Sequence, residues 1–227
     1  MTVVEQRRAA DSIRDRVRGA VAELARGRAI VLEDDLAGGV GILVFAAAKA
    51  STRTMAFLIE HSSGFVCVAL PAARCAQLKL PPMCARTGSS TPDYCVAFDA
   101  AEGTTTGISA RDRARGAKLV AEGATTPDDL VRPGHLIPLR AADGRVLERP
   151  ARAEAAIRLA EIAGLAPVAV LADVVSTMDQ TRMCDGLEAT EFATVHGLAR
   201  LSLTDVVEYE LAAVDEHVPA ALKRGLP

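Results

Sequence analysis

The stretch FVCVAL, residues 65–70, decides the fold class of this chain. All six residues are apolar, and β-branched or aromatic side chains are frequent among them, which is typical of a buried strand. Three more runs share this length and character: AIVL (29–32), ILVF (42–45) and YCVAF (94–98). Periodicity alone is also compatible with helix in such short runs, but we interpret all four as strands of a sheet.

Helices are predicted between these strands in the first half of the chain. Apolar residues with helical spacing predict an amphipathic opening helix that Gly27 ends: Ile13, Val17, Val21 and Leu24. Ser109 and Asp112 have capping-box-like spacing at the start of a helix that runs to about Glu122. Two further helices are expected at residues 51–61 and 71–78.

The alternation continues in the second half. Thr126, Pro127 and Asp129 resemble another helix start, and the Pro and Gly residues of 132–150 predict a loop. The remaining expected elements are helices near 153–163 and 186–196, strands in 167–175 and 199–203, and a final helix. This pattern predicts an α/β (α+β) fold, a single compact domain over residues 1–227 with a mixed sheet and flanking helices.

The composition argues against several classes of protein. Half of the 227 residues are apolar, yet no run approaches the about 20 apolar residues of a membrane helix. The N-terminus carries charges of both signs where an export signal places an apolar block, so we expect a cytoplasmic protein that is not membrane-bound. A net charge of −3, with two Tyr, five Phe and no Trp, argues against nucleic-acid binding.

The cysteines do not suggest a disulfide framework or a zinc site. The chain has five of them, an odd number, and no two are spaced as CxxC. Cys67 lies in the predicted strand 65–70, where it is either a small buried apolar side chain or a nucleophile. Without a neighbouring cation or base in the sequence, the first interpretation is favoured.

Three segments carry a resemblance to a known family: HSSGFVCVAL (61–70), AAEGTTTGISARDR (100–113) and DLVRPGHLIPLRAADGRVL (129–147). In order and spacing they are similar to 3,4-dihydroxy-2-butanone 4-phosphate synthase, and the likeness covers about residues 12–210. The resemblance implies a compact α/β fold and a homodimer with active sites at its interface. It also implies a Mg²⁺-assisted reaction that rearranges ribulose 5-phosphate, a small-molecule substrate, and releases one carbon as formate.

The resemblance also assigns roles to individual residues. Arg132, Gly134, His135 and Leu136 match the substrate-binding turn, with His135 at a metal-binding histidine. The Arg132 guanidinium has the planar fork that suits a phosphate, although a surface ion pair would use it equally. His135 and Glu154 are the candidate catalytic acid–base groups, and each is alternatively a structural hydrogen-bond partner.

A threonine run provides a second candidate for anion binding. Thr104, Thr105 and Thr106 lie between Gly103 and Gly107, where hydroxyl groups and backbone N–H groups can face a phosphate. A β-turn requires much the same residues, so a purely structural role stays open.

The chain departs from the family in its acidic loop. The family reads Asp-Asp-Glu-Asp-Arg-Glu-Asn-Glu-Gly-Asp where this chain reads EDDLAGGVGI (33–42). Gly38 replaces a metal-binding Glu, Ala37 a substrate-binding Arg and Ile42 a substrate-binding Asp. Since Mg²⁺ prefers several oxygen ligands, the substitute ligands would be Glu33, Asp34 and Asp35, which a solvated turn would explain equally well.

A second departure lies at residues 151–155, where the family's Gly-His-Thr-Glu-Ala becomes ARAEA and only Glu154 of the polar residues is kept. Three functions follow as hypotheses. The first is altered chemistry on a sugar phosphate or related small molecule. The second is a non-catalytic ligand-binding or partner protein, and the third is the retained synthase reaction.

Overall fold

The computed structural model describes residues 3–84, 93–142 and 146–217. Within these ranges seven strands form one mixed sheet: β1 (Ile30–Asp34), β2 (Val40–Ala46), β3 (Cys67–Pro71), β4 (Phe98–Ala100), β5 (Leu130–Ala141), β6 (Ala169–Asp173) and β7 (Arg200–Ser202). Their order across the sheet is β4-β5-β3-β6-β2-β1-β7. The β1–β7 and β3–β5 pairs are parallel, and the other pairs are antiparallel.

Helices cover both faces of this sheet: α1 (Val3–Ala25), α2 (Thr52–His61), α3 (Ala72–Gln77), α4 (Ala110–Ala121), α5 (Arg152–Ile162), α6 (Gly186–His196) and α7 (Leu203–His217). α1, α5 and α7 pack together on one face, and α2, α4 and α6 lie on the other. Burial on both faces explains why the strands are continuous apolar runs and not alternating ones. No described helix is long and apolar enough to cross a membrane.

Most of the predicted elements are confirmed as one compact α/β domain with a mixed sheet and flanking helices. The Ser109 hydroxyl accepts a hydrogen bond from the Asp112 backbone N–H at 3.1 Å, as the capping-box-like spacing predicted. α1 ends two residues before Gly27, whose φ of +76° is the left-handed conformation that a glycine adopts without strain. Local signals therefore placed these helix ends correctly.

The prediction of a loop at 132–150 was wrong for its first half, because residues up to Ala141 belong to the 12-residue strand β5. Pro133 and Gly134 lie where the β4–β5 register is irregular, between the Phe98 and Asp99 pairings. A Cβ at Gly134 would overlap the Phe98 backbone, so the glycine allows the two strands to approach. Pro and Gly here mark a strand irregularity, and not a loop.

Two further predictions were only partly right. Of YCVAF, only Phe98 belongs to β4, because Tyr94 and Cys95 form isolated bridges to two different segments. Thr126 caps a single 3₁₀ turn, Pro127–Asp129, and not an α-helix, since the next residue already enters β5.

Gly41 sets the distance between β2 and α6. A Cβ at this position would lie 2.6 Å from the Cys184 sulfur and 2.7 Å from the Ala189 Cβ. We expect Gly41→Ala to lower the free energy of unfolding by about 1–3 kcal/mol, because the added methyl group forces the buried helix and strand apart. Gly19→Ala is the control, since a Cβ there meets nothing within 4 Å. Equal denaturant midpoints for the two variants would contradict this account.

A cluster of four rings joins the C-terminal ends of α2 and α6. Its members are Phe57, His61, Phe192 and His196, and the two imidazole centroids are 4.7 Å apart. Burial lowers the pKa of His61, the neighbouring His196 lowers it further, and Glu60 acts in the opposite direction. Protonation therefore opposes the packing of these two helices.

This lowered pKa predicts a loss of stability in acid. The folded pKa lies below the unfolded one, so the unfolded chain binds the proton more readily and stability falls as the pH drops through that window. The values pH 7.5 and pH 5 bracket the ordinary histidine pKa of about 6.5. We expect the difference in unfolding free energy between these two pH values to be smaller in His61→Phe than in the unmodified chain. Denaturant titrations at both pH values test this, and an unchanged difference would argue against it.

Candidate active site

The register of the sheet brings several reactive side chains to one face. Ile42 pairs with Asp173 across β2 and β6, and Leu171 pairs with Cys67 across β6 and β3. Because side chains two residues apart on a strand share a face, Asp173 and Cys67 point to the same side of the sheet. The β1–β2 pairing extends that face to Asp34, at the end of β1. Helix α5 begins over the face that carries Asp34, Asp173 and Cys67.

The first residue of α5 lies between two carboxylates from different strands. Arg152 Nη1 is 2.5 Å from Asp173 Oδ1, while its Nε and Nη2 are each 3.2 Å from Asp34 Oδ2. The Asp34 side chain is 6% exposed and that of Asp173 is 34% exposed. The Nε contact to Asp34 and the Nη1 contact to Asp173 are hydrogen bonds, so other N–H donors of the guanidinium remain for a ligand.

A thiol and a phenol lie beside these charges. Burial raises the pKa of Cys67 to about 12, and Asp173 raises it while Arg152 opposes the shift. Burial and the neighbouring Cys67 raise the pKa of Tyr94, whose ring packs edge-on against Phe65 at 5.6 Å. Both groups therefore keep their protons at neutral pH, and the buried-thiol interpretation of Cys67 is favoured over the nucleophile. We call Asp34, Arg152, Asp173, Cys67 and Tyr94 the Arg152 cluster.

His135 is held by a buried acid on the neighbouring strand. Its backbone N–H donates to Asp99 Oδ1 at 2.9 Å, and its Nδ1 is 2.7 Å from Asp99 Oδ2. The His135 side chain is 39% exposed and that of Asp99 is 10% exposed. This arrangement fixes the ring and leaves Nε2 available for proton transfer, which is the geometry of a histidine oriented by a carboxylate.

The threonine run is organised around Asp112, the N3 residue of α4. Asp112 Oδ2 accepts hydrogen bonds from the Thr105 hydroxyl at 2.8 Å and from the backbone N–H groups of Thr105 and Gly107. These bonds, that of the Thr105 hydroxyl above all, lower the pKa of Asp112. Thr104 donates to the Ala100 carbonyl, and Thr106 is exposed. The loop's donors are thus directed at an internal carboxylate, which supports the turn interpretation.

Arg132 and Leu136 have structural contacts in this turn. The Arg132 guanidinium donates to the carbonyl groups of Leu78, Pro127 and Leu130 at 2.7, 3.0 and 3.4 Å. Leu136 is fully buried beneath Gly116 of α4. The phosphate-binding assignment of Arg132 and the substrate contact of Leu136 therefore receive no support from the geometry.

Glu154 has partners other than His135. Its Oε1 accepts a hydrogen bond from the Ala142 backbone N–H at 2.8 Å and lies 3.6 Å from Arg149 Nη1. Its side chain is 2% exposed and lines a cavity between α5 and the ends of β3 and β5. Glu154 thus secures the chain after β5, and no hydrogen bond among the described residues joins it to His135.

The three acids proposed as substitute metal ligands point in different directions. Glu33 lies on the α6 side of the sheet and pairs with Arg200. Asp34 pairs with Arg152 on the other side, and Asp35 Oδ1 accepts a hydrogen bond from the Thr204 backbone N–H at 3.1 Å. The alternation of the strand separates Glu33 from Asp34, so the run does not act as one chelating group.

Comparison with known proteins identifies the family. The profile described as 3,4-dihydroxy-2-butanone 4-phosphate synthase matches residues 18–209. The chain belongs to this family. The suspected resemblance is therefore confirmed over most of the chain.

The relatives of this synthase-family chain include two proteins named Riboflavin biosynthesis protein RibBA. That of Nocardia farcinica is 45% identical over 197 residues, which cover 86% of this chain and 48% of the relative. That of Mycobacterium tuberculosis strain H37Rv is 40% identical over 215 residues, covering 94% and 50%. The chain thus spans about half the length of these relatives.

Solved synthase structures share the fold. The 3,4-dihydroxy-2-butanone 4-phosphate synthase of Candida albicans has a TM-score of 0.79 and 36% identity, covering 85% of this chain and 96% of that one. A second synthase, described as a complex with two magnesium ions, has a TM-score of 0.79 and 33% identity, covering 87% and 95%. The family fold is therefore present in this chain.

The described residues do not fit a magnesium ion as the resemblance implied. Across 3–84, 93–142 and 146–217, no three His, Cys, Asp or Glu side chains are grouped to hold a metal. Asp99 contacts His135 Nδ1, and Asp34 and Asp173 already hold the Arg152 guanidinium. Since Mg²⁺ requires several oxygen ligands, these residues do not supply its usual coordination.

The sequence did not identify the residues that contact Arg152 and His135. Asp173 ends an apolar strand, Asp99 is the central residue of β4, and Tyr94 lies in a predicted strand, so none stood out as functional. Arg152 lies in the ARAEA segment and had no predicted role. A polar residue at the end of a buried strand was the available signal for Asp173, because ligands collect at strand ends.

The contacts of Arg132 predict that its loss affects stability and not ligand binding. We expect Arg132→Met to lower the free energy of unfolding by about 1–3 kcal/mol, because three carbonyl groups lose their donor. Arg111→Met, at an exposed position of α4, is the matched control. Phosphate binding by isothermal titration should be the same in both variants, and a selective loss of phosphate affinity in Arg132→Met would restore the phosphate assignment.

Proposed function

We propose that this chain binds a phosphorylated ketose or a related small molecule at the Arg152 cluster and performs acid–base chemistry that differs from the family's usual reaction. The observation that carries the proposal is the guanidinium of Arg152 held between Asp34 and Asp173. Removing a proton next to a ketose carbonyl places negative charge on the carbonyl oxygen. N–H donors of Arg152 that do not bind the two acids are suited to bind that oxygen.

The carboxylates have different roles in this proposal. Asp34 is almost fully buried and receives both Nε and Nη2 of Arg152, so it orients the guanidinium. Asp173 is the more exposed of the two acids and is the candidate base that accepts the carbon-bound proton. Tyr94 keeps its proton, so its hydroxyl can donate a hydrogen bond to a substrate oxygen.

His135 is the second proposed acid–base group. Asp99 holds its Nδ1, and the side chain is partly exposed. His135 lies on the same face of the sheet as Cys67, because it is two residues before the Ile137 that pairs with that cysteine. For Glu154 we propose a structural role, because its carboxylate contacts the Ala142 backbone and Arg149.

The chain has no acidic residue between Leu36 and Ile42, which supports a reaction without the family's acidic loop.

The retained synthase reaction is the second candidate. The identity of 45% with the Nocardia farcinica RibBA over 86% of this chain favours it. In that case the chain would convert ribulose 5-phosphate to 3,4-dihydroxy-2-butanone 4-phosphate and formate. A homodimer, as the family resemblance implies, accompanies either proposal, and we also propose a cytoplasmic location.

The first test is a formate-release and product-mass assay of the purified chain with ribulose 5-phosphate and other ketose phosphates, with Mg²⁺ and with EDTA. We expect turnover to a product other than the butanone phosphate, insensitive to EDTA. Asp173→Asn and His135→Gln should each lower kcat by at least about 100-fold, whereas Asp128→Asn, at an exposed position, should leave it unchanged.

The other outcomes separate the hypotheses. Mg²⁺-dependent release of formate with the butanone phosphate as product would replace our proposal with the retained synthase reaction. Binding of a ketose phosphate in calorimetry without any turnover would point to the non-catalytic ligand-binding hypothesis.

A further inference from the structure

We infer that Arg152 is the resident cation of the Arg152 cluster and occupies the position where a divalent metal ion would otherwise bind between Asp34 and Asp173. This inference rests on the proposed function only for the location of the site, since it concerns the cation and not the reaction. It predicts that the site works without Mg²⁺, and that removal of the guanidinium converts it into a metal site.

Asp34 and Asp173 share one cation, the guanidinium of Arg152. Asp34 and Asp173 come from β1 and β6, which are separated by β2, and their side chains point to the same face. Arg152 fills the space between them, with contacts of 3.2 Å on one side and 2.5 Å on the other. Two carboxylates with water in the remaining positions are a common way for proteins to hold Mg²⁺.

The charge of Arg152 excludes a second cation. A guanidinium does not lose its proton under any physiological condition, so its positive charge is permanent. A divalent ion bound to Asp34 or Asp173 would lie within a few ångströms of that charge, in a partly buried site where water screens poorly. The two acids therefore bind either Arg152 or a metal ion, and not both.

Among the residues that the structure describes, the acids on either side of Asp34 are engaged elsewhere. Glu33 lies on the opposite face with Arg200, and the described residues from Leu36 to Ile42 contain no side-chain oxygen. Cys67 keeps its proton because burial raises its pKa. With Arg152 removed, the carboxylates of the Arg152 cluster would be those of Asp34 and Asp173, with the Tyr94 hydroxyl beside them.

The Glu33–Arg200 pair is a matched control on the same strand. Arg200 Nη2 contacts Glu33 Oε2, so this is again an arginine that neutralises a partly buried acid of β1. Here, however, the guanidinium faces one carboxylate and not two. Removing Arg200 should therefore leave a single acid, which is insufficient for a magnesium site.

The test is direct metal binding, which needs no substrate and no turnover. Free Mn²⁺ is measured by electron paramagnetic resonance in titrations of the intact chain, with Mg²⁺ as competitor. We expect Arg152→Ala to gain one saturable Mn²⁺ site, at least about tenfold tighter than any site of the unmodified chain. Arg152→Lys, which keeps the charge, and Arg200→Ala should gain none, and Arg152→Ala combined with Asp34→Asn should lose the new site.

Two results would overturn the inference. One is a saturable Mn²⁺ site in the unmodified chain that Arg152→Ala does not change and Asp34→Asn abolishes. The other is a folded Arg152→Ala protein, as judged by circular dichroism, that binds no Mn²⁺. Should Arg152→Ala fail to fold, Arg152→Gln removes the charge while keeping hydrogen-bonding capacity, and the same two criteria apply. Inactivity towards every ketose phosphate would count against the proposed function and leave the Mn²⁺ result unaffected.

Discussion

The register of the central strands is the constraint on which the candidate site depends. β2, β6 and β3 pair so that Ile42 lies opposite Asp173 and Leu171 lies opposite Cys67. A slip of one residue in any of these pairs would turn the acids and the thiol to the opposite face of the sheet. Helices pack on both faces, so a slip would also bury polar side chains under α4 and α6 without partners.

Arg152 is at an unusual position for a cation. It is the first residue of α5, where the helix dipole favours negative charge and not positive charge. Asp34 and Asp173 reverse this preference, because they place two acids at the same helix end and contact the guanidinium directly. Asp34 could not be buried at this depth without a partner, since an unpaired buried carboxylate is costly. The ion pairs of Arg152 thus join α5 to β1 and β6.

The pair formed by His135 and Asp99 is a second polar centre, and it depends on a glycine at position 107. A Cβ at Gly107 would overlap both the Asp99 carboxylate and the His135 ring, so the glycine allows the loop to close over this pair. Asp112 then holds the loop through Thr105 and Gly107. The glycine- and threonine-rich sequence is explained by this packing, which does not itself require a bound phosphate.

Local signals were sufficient to predict the helices, most strands and the family, because capping residues, apolar runs and motif spacing are read from neighbouring positions in the chain. It did not determine which charged groups meet. Arg152 is 118 residues from Asp34, and His135 is 36 residues from Asp99. Such contacts depend on strand order and register, which no local pattern encodes. The contacts of Arg132 with three carbonyl groups, of Glu154 with Ala142, and of Arg152 with the two acids are therefore visible in the tertiary structure and not in the sequence.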